Sequence, residues 1–414
     1  MGSSARTAAR EAPDVVFALA AWPDDAVAPV CLMIDDLTDG WIDADGSGRA
    51  LGRNDWGAGL DLPGSSFHFL AQRILAGFPE VRTTFFVPVD RVEDVRPAAR
   101  PTHFTAIDRR PEFVQFLRRL DADPRFECAY HGKEHGHPGP TAASYVAEFD
   151  AFGSVPEALS ALRAGEQIWK GVFGRKPGGG KYPAYARGAF GDTAVDLARY
   201  TYWCRRWDRY VAEAGAPAAF HPRFFGEHDV VDFPSTVHGG MLSLPPLSKI
   251  TLRGLRWWIG VRFLGRTWLN DEIDALIAQR GVVAIQEHIT SSRPDGDVQT
   301  PNLYDDVETL RHLFRQLRKR RVWHATCAEI AAYWRSRELT TLRGRGSASF
   351  EVVRPRGEAP FAPLSVVLNG SVLPDVLHLR GRHGVLEAPV SHRFGERTCV
   401  TSPLPLEAGL YELI

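Results

Sequence analysis

Two carboxylates, Asp35 and Asp36, stand side by side directly after the apolar run Val27 to Ile34. Further along, the stretch FECAYHGKEHGH carries His131 and His135 in a His-x-x-x-His spacing, and His288 follows the apolar segment VVAIQ. An acid at the end of a buried strand costs free energy unless a metal or a base compensates it. One carboxylate and two imidazoles suit a catalytic zinc-like site with a position open to water and substrate. The other carboxylate could then take a proton from that water, and His288 could protonate a leaving group from the far side. Each piece alone is a weak signal. Surface loops hold His pairs by chance, an Asp pair also caps helices or makes turns, and a lone His also sits in a core beside a strand. What joins the pieces is position, because each follows an apolar strand.

That position depends on the elements around it. Strands are expected at Val27 to Ile34, Arg82 to Val89, Arg125 to Tyr130, Asp229 to Thr236 and Val282 to Gln286. Helices are expected at Phe67 to Leu75, Pro111 to Leu120, Val155 to Lys170 and Asp305 to Arg321. Such alternation implies βα units around a parallel sheet or barrel, where chemistry gathers at the C-terminal ends of the strands. Asp35-Asp36, His131 and Glu287-His288 are therefore expected to converge. Two irregular segments, 38–64 and 90–108, would hang over that face. After about Leu342, short extended runs separated by Gly, Pro and Asn-Gly turns take over. They predict a small β-sandwich-like domain over 343–414, behind a first domain over 1–342.

Composition excludes several classes. With 44% apolar and 24% charged residues the chain can build a sizeable core, and a net charge of -1 gives no global field for nucleic acid or an anionic membrane. The five cysteines form no CxxC pair, so they read as buried free thiols in a reducing compartment and argue against zinc held by thiolates. No run approaches the ~18 apolar residues of a membrane span. Val15 to Trp22 follows Arg6 and Arg10, but Glu11 and Asp14 interrupt the pattern of a signal peptide. A linker and first strand in a cytoplasmic protein are expected instead. Asp43 to Gly48 looks like half of a calcium loop but lacks an acid at the twelfth position, so it reads as a turn. Arg253 to Leu269 mixes arginine with tryptophan and reads as core packing with some exposed arginines.

In order and context the motifs resemble those of the polysaccharide deacetylases, the NodB-like group of carbohydrate esterase family 4. The resemblance runs from Val27 to Trp334. It rests on Met33-Ile34-Asp35-Asp36, on the strand Thr83-Thr84-Phe85-Phe86-Val87, on His131 with His135, and on Ile285 to His288. It implies a distorted (β/α) barrel of the NodB-like type. It also implies Asp35 as general base, His288 as general acid, and Asp36, His131 and His135 as ligands of a divalent cation, with Zn2+ the first expectation. The family's third motif is matched loosely by Gly180-Lys181-Tyr182-Pro183-Ala184-Tyr185, with Lys181 where the family has arginine. Lys181 would pair with Asp35 as a point charge rather than a planar fork. Tyr182 and Tyr185 would face the substrate, and a backbone N–H near Tyr185 would help hold the oxyanion. The fourth motif is reduced to Trp207-Asp208, with Trp207 against the substrate and Asp208 as partner of the His288 imidazole. Leu37 replaces the glycine that normally follows the acid pair, and the two inserted loops lengthen the gap from Asp36 to His131.

The implied activity is metal-dependent removal of an N-acyl group, N-acetyl first, from an amino sugar in a glycan or glycan precursor. Two other readings stand beside it. One is a deacetylase-like barrel without catalysis that binds glycan or scaffolds other enzymes. The other is a hydrolase of a non-sugar amide or formamide.

Overall fold

A computed structural model describes residues 16–38, 41–42, 65–92, 94–95, 104–137, 145–206, 220–239, 269–289, 299–345, 349–355, 361–369, 375–394 and 397–414. The chain divides into two compact units, Val27–Ala331 and a second made of Met1–Ala26 with Ala332–Ile414. This division differs from a boundary after Leu342. The strand Val16–Leu19 pairs antiparallel with Ser365–Asn369 and so belongs to the second unit's sheet. Four apolar residues announce a strand, but not which sheet it joins.

The first unit is built on one sheet. Its order is Arg223–Phe225, Val230–Asp232, Tyr202–Cys204, Gly179–Lys181, Phe126–Tyr130, Thr83–Val87, Pro29–Asp35, Val283–His288 and Val237–His238, with Trp323–His324 also paired to Pro29–Asp35. Only the edge strand Arg223–Phe225 pairs antiparallel with its neighbour. The unit is a mixed α/β fold with a half-barrel sheet; among the described residues its two end strands are not paired with each other, while the Val282 N–H donates to the Phe220 carbonyl at 2.8 Å.

Alternation along the strands gives the sheet two unlike faces. Val30, Leu32, Ile34, Phe85, Val87, Val283 and Ile285 enter one continuous apolar core with the helices. The helix Pro111–Ala122 meets it with Phe113, Phe116, Leu117 and Leu120, an i, i+3, i+4, i+7 stripe. Each such side chain contributes roughly 1.5–3 kcal/mol by leaving water. Ser154 caps the helix Val155–Phe173 by accepting from the Glu157 N–H, and Gly174 ends it with φ 71°. The opposite face carries Cys31, Met33 and Asp35, then Thr84, Phe86, Glu127, Lys181, Cys204, Gln286 and His288.

The stretch that carries Lys181 begins as a short strand, Gly179–Lys181. Two of its three residues are glycines, and the space demands one at least. A Cβ on Gly180 would come within 2.5 Å of the Trp203 ring and 2.6 Å of the Tyr130 carbonyl oxygen. That close approach lets a three-residue strand slot between Phe126–Tyr130 and Tyr202–Cys204 and deliver Lys181.

The second unit carries an eight-stranded antiparallel sheet. Its longest strand, Gly384–Phe394, pairs with Val376–Gly381 along its first half and with Arg397–Thr401 along its second, with an irregularity between Val390 and His392. One strand thus serves two halves of the sheet, and Phe17 and Phe350, from opposite halves, meet with ring centroids 4.8 Å apart. Phe350, Val366, Leu368, Leu379 and Tyr411 are among the residues of its own apolar core. Among the described residues no helix is long and apolar enough to cross a membrane.

Candidate active site and metal centre

The strand Pro29–Asp35 ends with Asp35 facing the polar side of the sheet. Asp36 has φ 63°, and this left-handed turn brings the second carboxylate round beside the first. Aspartate tolerates that conformation better than most side chains. It also explains Leu37. The left-handed residue is Asp36 itself, so the next position needs no glycine, and Leu37 is free to bury its side chain completely.

His131 and His135 arrive on the loop after Phe126–Tyr130. One ligand atom from each of Asp36, His131 and His135 lies within 4.8 Å of the others. Asp36 Oδ1 is 3.1 Å from His135 Nε2 and 3.7 Å from His131 Nε2. The hydrogen bonds fix the ring tautomers. His131 Nδ1 lies 3.1 Å from the Lys181 carbonyl oxygen, so that nitrogen holds the proton. His135 Nδ1 lies 2.7 Å from the Tyr145 hydroxyl, which gives its own proton to the His135 carbonyl at 2.8 Å. Nδ1 must therefore donate here too. Both Nε2 lone pairs are left facing the Asp36 side. Burial pulls His131 down to about 4, against the raising effect of Asp35, so its ring is neutral at pH 7.

Lys181 Nζ sits 2.6 Å from Asp35 Oδ2, both groups almost wholly buried, in an ion pair bent away from hydrogen-bond geometry. Burial works against the ammonium, but the Asp35 charge outweighs it and carries Lys181 above its ordinary value. The ammonium also lies 4.3 Å over the Tyr185 ring. Two carboxylates face one ammonium here. The site's oxygen and nitrogen donors fit a divalent cation.

His288 stands beside Asp35, with Nε2 3.9 Å from Asp35 Oδ2 and Nδ1 2.6 Å from the Pro301 carbonyl oxygen. A main-chain acceptor holds the ring where a carboxylate partner was expected. Asp208 and Trp207 lie outside the described residues, as do Asp43 to Gly48, most of Arg253 to Leu269 and most of the loop 38–64.

The two tyrosines of the third motif sit differently from expectation. Tyr182 is fully buried, stacked edge-on against Phe149 and Trp203 with its hydroxyl on Asp192, so it is a core residue. The Tyr185 N–H itself is used within a turn, donating to the Tyr182 carbonyl at 3.0 Å. The Tyr185 hydroxyl instead reaches Ser235 at 2.7 Å and Gln286 Oε1 at 3.0 Å.

Several participants escaped the sequence reading. Gln286 donates to Asp35 Oδ2 at 3.2 Å. It lies two positions before His288 on a strand, hence on the same face, and alternation could have found it. Gln299 donates to Asp36 Oδ2 at 2.8 Å, from a loop that gives no such signal. Glu148 accepts the backbone N–H groups of Lys133, Glu134 and His135 at 2.8–3.0 Å, which folds the ligand loop around one carboxylate. Gly132, with φ 79°, makes room, since a Cβ there would meet Glu148 Oε2 at 2.5 Å. Lys133 bridges Glu134 and Asp90, while His137 is exposed, 3.9 Å from Glu134.

The chain matches no protein-family model and no curated protein. Its structure resembles those of polysaccharide deacetylases and family 4 esterases. A protein from Mycobacterium smegmatis assigned as a polysaccharide deacetylase is similar at 18% identity and TM-score 0.46, over 79% of this chain and 97% of that one. The family 4 acetyl xylan esterase from Clostridium thermocellum, in complex with a cobalt ion, is similar at 12% identity and TM-score 0.33, over 73% and 89% of the two chains. Puue allantoinase is similar at 13% identity and TM-score 0.45, over 77% and 94%.

Proposed function

We propose that this chain is a metal-dependent hydrolase that removes an N-acyl group, N-acetyl first, from an amino sugar in a glycan or glycan precursor. The observation that carries the reading is the convergence of three groups on one face: the Asp36-His131-His135 ligand set, the Asp35–Lys181 pair and His288. Asp36, His131 and His135 would hold a divalent cation, Zn2+ first, which supplies a Lewis acid when bound. Asp35 Oδ2 is taken by Lys181 and Gln286, while Asp35 Oδ1 is buried and has no hydrogen-bond partner. Oδ1 is the atom placed to take the proton from the attacking water. His288, as an imidazolium with its Nδ1–H on the Pro301 carbonyl, would give its Nε2 proton to the departing amine and return to the neutral ring. The intact Asp35–Lys181 pair favours catalysis over a glycan-binding relic.

Metal content and acetate release test the reading together. Purified protein should contain close to one divalent ion, release acetate from a chitin pentamer, lose that activity to a chelator and regain it with Zn2+. Protein with bound metal that cleaves a non-sugar amide or formamide but no acetamido sugar would move the substrate class. Protein that neither holds metal nor releases acetate would overturn the proposal.

A further inference from the structure

Each carboxylate of the acid pair has its Oδ2 held by a glutamine amide, Asp35 by Gln286 and Asp36 by Gln299. The consequences differ. Asp35 Oδ2 also carries the Lys181 ammonium, whereas the amide on Asp36 Oδ2 is neutral. An amide donor orients a carboxylate without supplying a charge of its own. From the geometry we infer that Gln299 is a positioning residue that selects Asp36 Oδ1 as the ligand oxygen; this rests on the metal-centre reading above.

The surroundings hold Gln299 in place. Its carbonyl accepts from Asn302 Nδ2 at 2.8 Å. Asn302 is itself fully buried and caps the helix Leu303–Leu317 by accepting from the N–H groups of Tyr304 and Asp305. Pro301, two residues on from Gln299, offers its carbonyl to His288 Nδ1. One short segment anchored on a helix start therefore reaches both the ligand carboxylate and the proposed acid. Groups bonded to a ligand fix its orientation, and their loss typically weakens metal binding 10- to 100-fold, an order-of-magnitude guide.

The test is Co2+ affinity of the full chain, read from the ion's visible absorption and by chelator competition, for wild type, Gln299→Leu, Gln299→Met and Gln286→Leu. Both Gln299 variants should bind roughly 10- to 100-fold more weakly. Their metal-free melting temperatures should stay within about 2 °C of wild type. Gln286→Leu should bind as wild type does. If wild type binds Co2+ and both Gln299 variants match it, the inference falls and the proposed function stands. If the metal-free melting temperature falls along with affinity in both variants, Gln299 holds the fold rather than the ligand, and the inference also falls. If wild type binds no Co2+, both fall.

Discussion

The polar face of the sheet holds two buried acidic clusters, and they are finished differently. At the strand starts, Glu127 accepts from the Tyr202 hydroxyl at 2.7 Å, the Thr84 hydroxyl at 2.8 Å and the Ala328 N–H at 3.0 Å. Every lone-pair direction it needs is met, with the N-terminus of the helix Cys327–Glu338 beside it. At the strand ends, Asp35 Oδ1 has no hydrogen-bond partner among the described residues although Asp35 is the more deeply buried of the two. Buried polar groups are normally satisfied, so an orphan acceptor beside a ligand set marks the place where something else must bind. The lower cluster is closed by its own donors, and the upper one keeps an acceptor unmet.

The comparison breaks most sharply at Asp35. Asp35→Asn keeps the shape and removes the proposed base, so acetate release should fall by roughly 10²- to 10⁴-fold while bound metal is unchanged. Near-normal turnover in that variant would place the base elsewhere. Lys181→Met comes next. It strands a buried carboxylate, which should cost about 3–5 kcal/mol of stability and lower turnover as well. The double variant with Asp35→Asn should recover much of the stability and none of the activity, and denaturant titration of the four proteins gives the coupling. Additive losses would mean that the 2.6 Å pair is not what holds Lys181 in place.

Much of this was legible in the sequence, for a simple reason. Apolar runs followed directly by Asp35-Asp36, His131 and His288 need only strand alternation to be read, and the long helices declare themselves by period and caps. What was illegible depends on contacts between distant segments. Gly179–Lys181 is a strand because Tyr130 and Trp203 close on it, and Val16–Leu19 joins a sheet whose other strands come after residue 340. Gln299 and Pro301 reach the site from a loop. The cysteines looked scattered, yet the Cys327 thiol meets those of Cys31 and Cys204 beneath the site, all buried and free.

The finest test falls on the satisfied cluster. Burial raises the Glu127 carboxyl to about 7, against the pull of the Ala328 N–H and of the two hydroxyls. In the unfolded chain the same group titrates near its ordinary value of 4.5. The folded state therefore holds the proton longer. Stability from this group is fully present below about pH 4.5 and is lost as pH rises through 7, by an amount on the order of a few kcal/mol. Glu127→Gln keeps a neutral group of the same shape, and the two hydroxyls can turn to accept from its amide. Between pH 5.5 and 8.5 the melting temperature of wild type should fall more than that of the variant, while acetate release at pH 7 stays near wild type. Parallel curves would show that the carboxylate is charged in the fold at every pH, held by its three donors. A large loss of activity would show that the lower cluster reaches the chemistry after all.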